Sequence, residues 1–200
     1  MRKIFMGVSV ASRQFSRRYI ARVVRDGAAL ADEVLFLVAD IPQAHTFVAK
    51  GALSYVEGFE KARNIGDEKI ASINRAVRSV SGVDISTKVW RWDNVEEYLE
   101  YLELREKILG EIRYNKKMHG DVRDEVRAYA RREGLHSREF NEEIAGVYVC
   151  EELAVVIFLH KYLGYEVQIA PKTPPGPMEN WYKGVYDWLP SPEGCYHMIM

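Results

Sequence analysis

Six consecutive apolar residues, Val34-Leu35-Phe36-Leu37-Val38-Ala39, closed by Asp40 and Pro42, constrain this chain more than any other feature. A strand with one wet face alternates in polarity, so an unbroken apolar run belongs to a strand covered on both faces, as in a parallel sheet. Upstream, Lys3 to Ser9 is a second short apolar run. It leads into Arg13 to Arg25, where Phe15, Tyr19, Ile20, Val23 and Val24 recur at helical spacing. Two successive strand and helix units predict the α/β class. With 200 residues, 48% of them hydrophobic, the chain has the size and makeup of one globular domain spanning 1–200.

Downstream, Thr46 reads as the N-cap of a helix that runs to Arg63 and breaks near Gly66, with a second helix from Asp67 to Val80. Thr87 to Trp92 alternates and reads as a third strand, with Asp93 or Asn94 capping the next helix. The Glu-, Lys-, Arg- and Leu-rich stretch from Val95 to Gly134 predicts two helices separated near His119-Gly120. Asn141 to Leu163 is the longest apolar helical stretch, stopped by Gly164, and Tyr165 to Ala170 reads as a last strand. From Pro171 the composition turns to proline, glycine and aromatics. Residues 171–200 therefore predict an irregular segment packed over the domain surface.

Lys plus Arg, at 28, nearly balance Asp plus Glu, at 29, so only local clusters of charge can point to an anionic partner. Cys150 and Cys195 are too few and too far apart for a disulfide framework or a zinc knuckle. The short basic and apolar N-terminus lacks the length of a signal-peptide core, and no stretch approaches the twenty or so apolar residues of a membrane helix. We expect a cytoplasmic protein with no membrane partner, no metal and no obligate protein partner.

Three constellations could carry chemistry. Gly7-Val8-Ser9-Val10-Ala11-Ser12 ends the first strand, where α/β folds bind ligands, so Ser9 stands where a reacting group belongs. The competing reading is that Ser9, Ser12 or Ser16 only caps the following helix. A dinucleotide fingerprint needs three glycines in this turn and only Gly7 is present. A hydrolase nucleophile elbow needs a glycine where Ala11 stands. The second constellation is Tyr148 and Glu152, four residues apart on a largely apolar helix. A buried carboxylate takes a cationic partner or a proton, and the partner is either a Lys or Arg of the fold or an ammonium brought by a ligand. Third, Lys61, Arg63, Lys69, Arg75 and Arg78 form one basic cluster, and Arg123, Arg127 and Arg131 another. Each is a solvated face or a phosphate footprint.

These segments together resemble the tRNA-dependent cyclodipeptide synthases. The likeness rests on Gly7-Val8-Ser9 with Phe15-Ser16, on Asp40-Ile41-Pro42 before His45-Thr46-Phe47, on Lys61-Ala62-Arg63 with Asn74-Arg75-Ala76-Val77-Arg78, and on Tyr148-Val149-Cys150-Glu151-Glu152-Leu153-Ala154. It implies a single Rossmann-like domain, its mainly parallel sheet flanked by helices, similar to the catalytic domains of class I tyrosyl- and tryptophanyl-tRNA synthetases. The implied reaction takes two aminoacyl-tRNAs, makes two peptide bonds and releases a diketopiperazine, in ping-pong fashion through an aminoacyl-serine and a dipeptidyl-enzyme, without a cofactor. By matching position the resemblance makes Ser9 the nucleophile, sets Gly7 and Ser12 beside the aminoacyl group, and gives Tyr148 and Glu152 the substrate ammonium. Lys61, Arg63, Arg75 and Arg78 fall on the family's tRNA-contacting helices. Phe5 and Val155, near Gly7 and Glu152 in sequence, are expected in the substrate pocket.

Two positions depart from the family. Ser12 stands where many members have Asn, and Gln168-Ile169-Ala170-Pro171-Lys172 lacks the tyrosine usual after that strand, leaving Tyr165 or Tyr182 as substitutes. A binding module that holds tRNA or an aminoacyl ester without turnover, and a serine esterase acting on aminoacyl esters, are the alternative functions.

Overall fold

A computed structural model describes residues 2–51, 53–135 and 140–200. Five strands form one parallel sheet: β1 (Lys3–Ser9), β2 (Glu33–Ala39), β3 (Ser86–Arg91), β4 (Val167–Ala170) and β5 (Tyr196–Ile199). Their order across the sheet is β3-β2-β1-β4-β5. Every residue of β2 is buried, as its unbroken apolar run requires. On β1, alternation sorts the side chains into two cores. Ile4, Met6 and Val8 pack with Ile20, Val23 and Val24 of α1 (Arg17–Gly27) and with Ile73 and Ala76 further along the chain. Phe5 joins Leu35, Leu37 and the apolar side chains of residues 149–159 on the opposite face. Gly7 and Ser9 are in phase with Phe5 and so face that second side.

From β1 the chain steps outward to β2 and β3, then crosses back to lay β4 against the other edge of β1. The order reverses between β1 and β4. Beyond the carboxyl ends of two such strands the connections diverge and leave a crevice, the usual ligand site of an open α/β sheet.

The middle of the chain corrects two sequence expectations. Helix α2 (Asp40–Ala49) starts directly at the end of β2, so Thr46 lies inside it and does not cap it. Pro42 belongs to the first turn, where its missing N–H would have no intrahelical partner. The buried Asp40 carboxylate accepts from the Ile41 N–H at 3.0 Å and from Arg91 at 2.8 Å, placing negative charge at the helix's positive end. Helix α3 (Tyr55–Arg78) runs unbroken for 24 residues, opened by a capping box between Ser54 and Glu57. Gly66 marks a close approach rather than a break, because a Cβ there would come within 3.0 Å of the Asp40 Cβ. Gly58 does the same job against Val48, where a Cβ would lie 2.8 Å from Cγ2.

Helix α4 (Asp93–Glu96) has no side-chain cap; the Asn94 side-chain oxygen Oδ1 instead accepts from the Arg91 N–H at 2.9 Å. Helices α5 (Leu99–Tyr114) and α6 (Lys116–Arg132) divide at Asn115, whose side chain accepts from the N–H groups of Lys117 and Met118. His119 and Gly120, the expected boundary, are inside α6. Helix α7 (Glu142–Leu163) runs from an Asn141 cap to a left-handed Gly164, as the sequence predicts.

The C-terminal segment is more ordered than its composition suggests. It contains helix α8 (Gly176–Tyr182) and β5, which extends the sheet beside β4. Buried Met178, Trp181, Tyr186, Leu189 and Cys195 anchor it to the α7 core, and the Trp181 indole N–H donates to the Pro190 carbonyl at 2.8 Å. These aromatic anchors are spread irregularly along the segment, so they carry no helical or strand period.

Candidate active site

A cavity of about 700 Å³ opens at the switch point, walled by Gly7, Ser9, Tyr148, Glu152, Gln168 and Ala170 among others. The structure therefore brings Ser9, Gly7 and Ser12 from one end of the chain together with Tyr148 and Glu152 of α7. The three serines separate by role. Ser16 is the cap of α1, accepting from the Tyr19 N–H at 3.2 Å, and Ser12 accepts from the Gln14 N–H at 3.2 Å. Ser9 caps nothing; its hydroxyl donates to the Gln43 side-chain oxygen at 3.3 Å. A Cβ on Gly7 would meet no atom within 4 Å, so the absent side chain leaves open cavity directly below Ser9.

Tyr148 and Glu152 lie one turn apart on α7, and the phenol donates to Glu152 Oε1 at 2.9 Å. Burial pushes the Glu152 carboxyl up to about 7; the Tyr148 hydrogen bond and the charge of Lys172 oppose the rise, while Glu125 adds to it. Although the cavity leaves part of Glu152 accessible, protein encloses it on the other sides. Burial also holds the Tyr148 phenol well above its ordinary range, helped by Glu152, so it remains a donor. The Ser9 hydroxyl, close enough to act on that phenol in the opposite sense, links the two halves of the site even though its own hydrogen bond goes to Gln43.

The two adjacent carboxylates of α7 fare differently. Glu151 is fully buried and receives an N–H from Arg105 of α5 at 2.8 Å, with His45 Nε2 at 3.6 Å. Glu152 has no ion pair among the described residues. The fold thus neutralises Glu151 internally and leaves Glu152 at the cavity with Lys172 near enough to feel its charge but with no direct ion pair among the described residues.

Phe5 and Val155, expected in the substrate pocket, are buried in the core, Phe5 edge-on to Tyr165, and neither is among the residues that wall the cavity. Val155 packs among the apolar side chains of the α7 core. Of the two tyrosines offered as substitutes after Ala170, Tyr165 points away, donating to Glu33 at the start of β2 at 2.6 Å. Tyr182 reaches the wall only through Gln168, to whose side-chain oxygen it donates at 2.9 Å.

Lys61, Arg63, Arg75 and Arg78 are all exposed on α3, spread around its outer half over about 25 Å of axis. They are not equally free. Arg63 is paired with Asp93, and the Lys61 ammonium sits 4.8 Å over the ring of Phe47, a cavity residue. Arg75 borders a groove with Val10 and Lys69 beside the Ser12 turn, where Lys69 donates to the Ser12 carbonyl at 3.3 Å. In the other basic series, Arg127 is engaged with Glu142 at 3.0 Å.

Sequence reasoning missed Gln43, Tyr129, Lys172 and His197, all of which line the cavity. Gln43 directly follows the Asp40-Ile41-Pro42 block and could have been flagged there; the others come from elements whose facing only the packing decides. The described residues contain no cluster of three or more His, Cys, Asp or Glu side chains suited to a metal ion, and no helix long and apolar enough to cross a membrane.

Comparison with known proteins agrees with this geometry. The chain resembles a cyclodipeptide synthase from Fluoribacter dumoffii with a TM-score of 0.78 at 19% identity, over 91% of this chain and 81% of that one. A Mycobacterium tuberculosis protein, described as relating cyclodipeptide synthetases to type I tRNA synthetases, matches at a TM-score of 0.73 and 20% identity, over 90% and 77% of the two chains. A cyclodipeptide synthase from Candidatus Glomeribacter gigasporarum bound to Phe-tRNAPhe matches at 0.63 and 14% identity, over 91% and 82%. No curated protein matches the sequence. The family model for cyclodipeptide synthase matches residues 1–196, and on that match, with the sheet order and cavity described above, this chain belongs to the cyclodipeptide synthase family.

Proposed function

We propose that the chain joins the aminoacyl groups of two aminoacyl-tRNAs into a cyclic dipeptide through covalent intermediates on Ser9. The observation that carries this reading is a lone hydroxyl at the end of β1 sharing a cavity with a carboxylate that has no direct ion pair among the described residues. The relative bound to Phe-tRNAPhe supports a charged tRNA as the substrate class. Family membership supports cyclodipeptide formation as the outcome.

In the first step Ser9 Oγ attacks the aminoacyl ester carbonyl. The bond to the tRNA ribose breaks, and the ribose hydroxyl leaves with the serine proton in net balance. Glu152, once ionised, holds the substrate ammonium, and Tyr148 fixes the carboxylate through its hydrogen bond. The amine must then lose its proton to become a nucleophile. A carboxyl raised to about 7 is matched to an α-ammonium near 8 and can take that proton.

The acyl-serine amine then attacks the ester of the second aminoacyl-tRNA, forming C–N, breaking C–O and freeing the second tRNA. Attack in this direction leaves the dipeptide on Ser9; the reverse would leave it on tRNA. The new terminal amine attacks the serine ester, closing the ring and returning Oγ its proton. Ester bonds supply the driving force throughout, so no step calls for ATP. Gln43 accepts the Ser9 hydroxyl in the free enzyme and so orients Oγ, but an amide oxygen cannot act as the base. Lys61, Arg63, Arg75 and Arg78 would receive phosphates, which position the acceptor end without reading sequence.

The test is incubation of the protein with aminoacyl-tRNA labelled in the amino acid, followed by denaturing separation. We expect label on the wild-type chain and diketopiperazine in solution, and neither with Ser9→Ala. Labelled protein from Ser9→Ala would remove Ser9 as nucleophile; free amino acid in place of cyclic product would identify an esterase, and binding without turnover a binding module.

A further inference from the structure

Gln43 stands beside Ser9 because α2 starts directly at the end of β2, whose last residue, Ala39, is the register partner of Ser9. One turn into that helix, Gln43 Oε1 accepts from the Ser9 hydroxyl at 3.3 Å. Gln43 is only 4% exposed, and it lines the cavity. The other half of its amide is unused. Its NH2 group makes no hydrogen bond among the described residues, yet it is not sealed away as the orphaned polar atoms of the interior are. The Tyr148 phenol, also beside Ser9, already spends its proton on Glu152.

Attack by Oγ on an ester carbonyl makes the Oγ–C bond and moves the carbonyl π pair onto oxygen, so the negative charge appears two bonds from Oγ. Gln43 Nε2 is likewise two bonds from Oε1, the atom that touches Oγ. An acyl carbon on Ser9 and the amide carbon of Gln43 can therefore lie side by side, with the oxyanion against the N–H donor. The serine proton departs in the same step, and Oε1 loses the donor it had. From then on only the NH2 half of the amide has a partner to meet at the acylated serine. A donor held in place before the reaction, in a site shielded from water, stabilises developing charge without having to reorganise.

Resting on the serine pathway proposed above, we propose that Gln43 is a catalytic residue whose side-chain N–H donates to the oxyanion of the tetrahedral intermediate built on Ser9. Gln43 itself gains and loses no proton. The proton of Ser9 goes to the leaving ribose oxygen, and collapse of the intermediate restores the carbonyl as the C–O bond to the ribose breaks. The same oxyanion forms when ring closure attacks the serine ester. It does not form in the middle step, whose tetrahedral carbon is attached to the second tRNA. Gln43 thus serves the first and third steps and leaves the second alone.

The experiment mixes the full-length protein with aminoacyl-tRNA labelled in the amino acid and stops the reaction with acid. It reads the rate of acylation and, from intact-protein mass, the proportions of aminoacyl- and dipeptidyl-enzyme. Gln43→Glu keeps an acceptor for Ser9 and the size of the side chain but loses the N–H; Gln43→Met removes donor and acceptor together. Acylation should slow by about 100- to 1000-fold in each, the usual loss for one oxyanion donor, with tRNA affinity unchanged. The dipeptidyl share of the covalent enzyme should rise, because the middle step alone keeps its rate. Gln43→Glu should also recover relative to wild type as pH falls from about 8 to about 5.5, since a protonated carboxyl donates again; the ratio cancels the titration of Tyr148, Glu152 and Lys172, common to both proteins. Acylation of Gln43→Glu at the wild-type rate would overturn the assignment and leave Gln43 only as the acceptor that orients Ser9. Loss of tRNA binding, or equal slowing of all three steps, would overturn it in favour of a structural role. A wild-type chain that never carries label removes the serine pathway, and this assignment with it.

Discussion

Replacing Glu152 with Gln should make the protein more stable in alkaline solution and inactive, and the size of the first effect follows from the site. In the folded chain burial raises the carboxyl from an ordinary 4.5 to about 7. Between those values the native state holds a proton that the unfolded chain has lost, so wild-type stability falls as pH rises, and the loss is complete above about 7. At about 1.4 kcal/mol per pH unit the full penalty is at most about 3.5 kcal/mol, and access of water to the cavity reduces it to about 1–3 kcal/mol. The amide has no such titration, keeps an oxygen to accept the Tyr148 phenol, and fills the same space. Urea unfolding at pH 5 and at pH 8.5 measures the difference directly. At pH 5 the two proteins should differ little. At pH 8.5 the variant should be more stable by about 1–3 kcal/mol, equivalent to several degrees in Tm for a chain of this length. Parallel stability curves for the two proteins across this range would refute the reasoning, since Glu152 would then be no more costly to ionise in the fold than out of it. Activity lost together with stability gained is the signature of a group kept for function.

Two other perturbations probe the remaining parts of the site. Reversing Arg75 and Arg78 to Glu should weaken tRNA binding and flatten its dependence on salt, each lost phosphate contact lowering the log–log slope by about 0.7–0.9; Arg63→Glu should do less, because Asp93 already holds that guanidinium. Filter binding from low to moderate salt reads this, and an unchanged slope would move the footprint to the Arg123, Arg127 and Arg131 series. Gly7→Val should leave the unfolding free energy within about 0.5 kcal/mol of wild type, because no protein atom lies within 4 Å of where Cβ would go, yet cut acylation of Ser9 by closing the space beneath it. Normal acylation in that variant would show that the aminoacyl group does not pass over Gly7.

Much of this protein was legible in its residues because the signals were local. The apolar run of β2, the alternation of β1 and the apolar length of α7 between Asn141 and Gly164 follow from what strands and helices must bury, and the order of strands and helices in the first half sets the α/β class. The spacing of Tyr148 and Glu152 was enough to put them on one helical face. What the chain could not announce were features made by contact between distant segments. Gly66 looks like a helix breaker until α3 is seen pressed against Asp40, and Thr46 looks like a cap until Asp40 and Pro42 are seen opening α2. The C-terminal segment has no period of its own and becomes a helix and an edge strand only because its aromatics find the α7 core and β4 offers free hydrogen-bonding groups. Composition alone could not tell which of two neighbouring glutamates was structural: Arg105 neutralises Glu151 and no described residue pairs directly with Glu152. That difference, like the meeting of Ser9 with Gln43, depends on groups dozens of residues away in the chain, and only folding brings their charges and hydrogen-bonding atoms within reach.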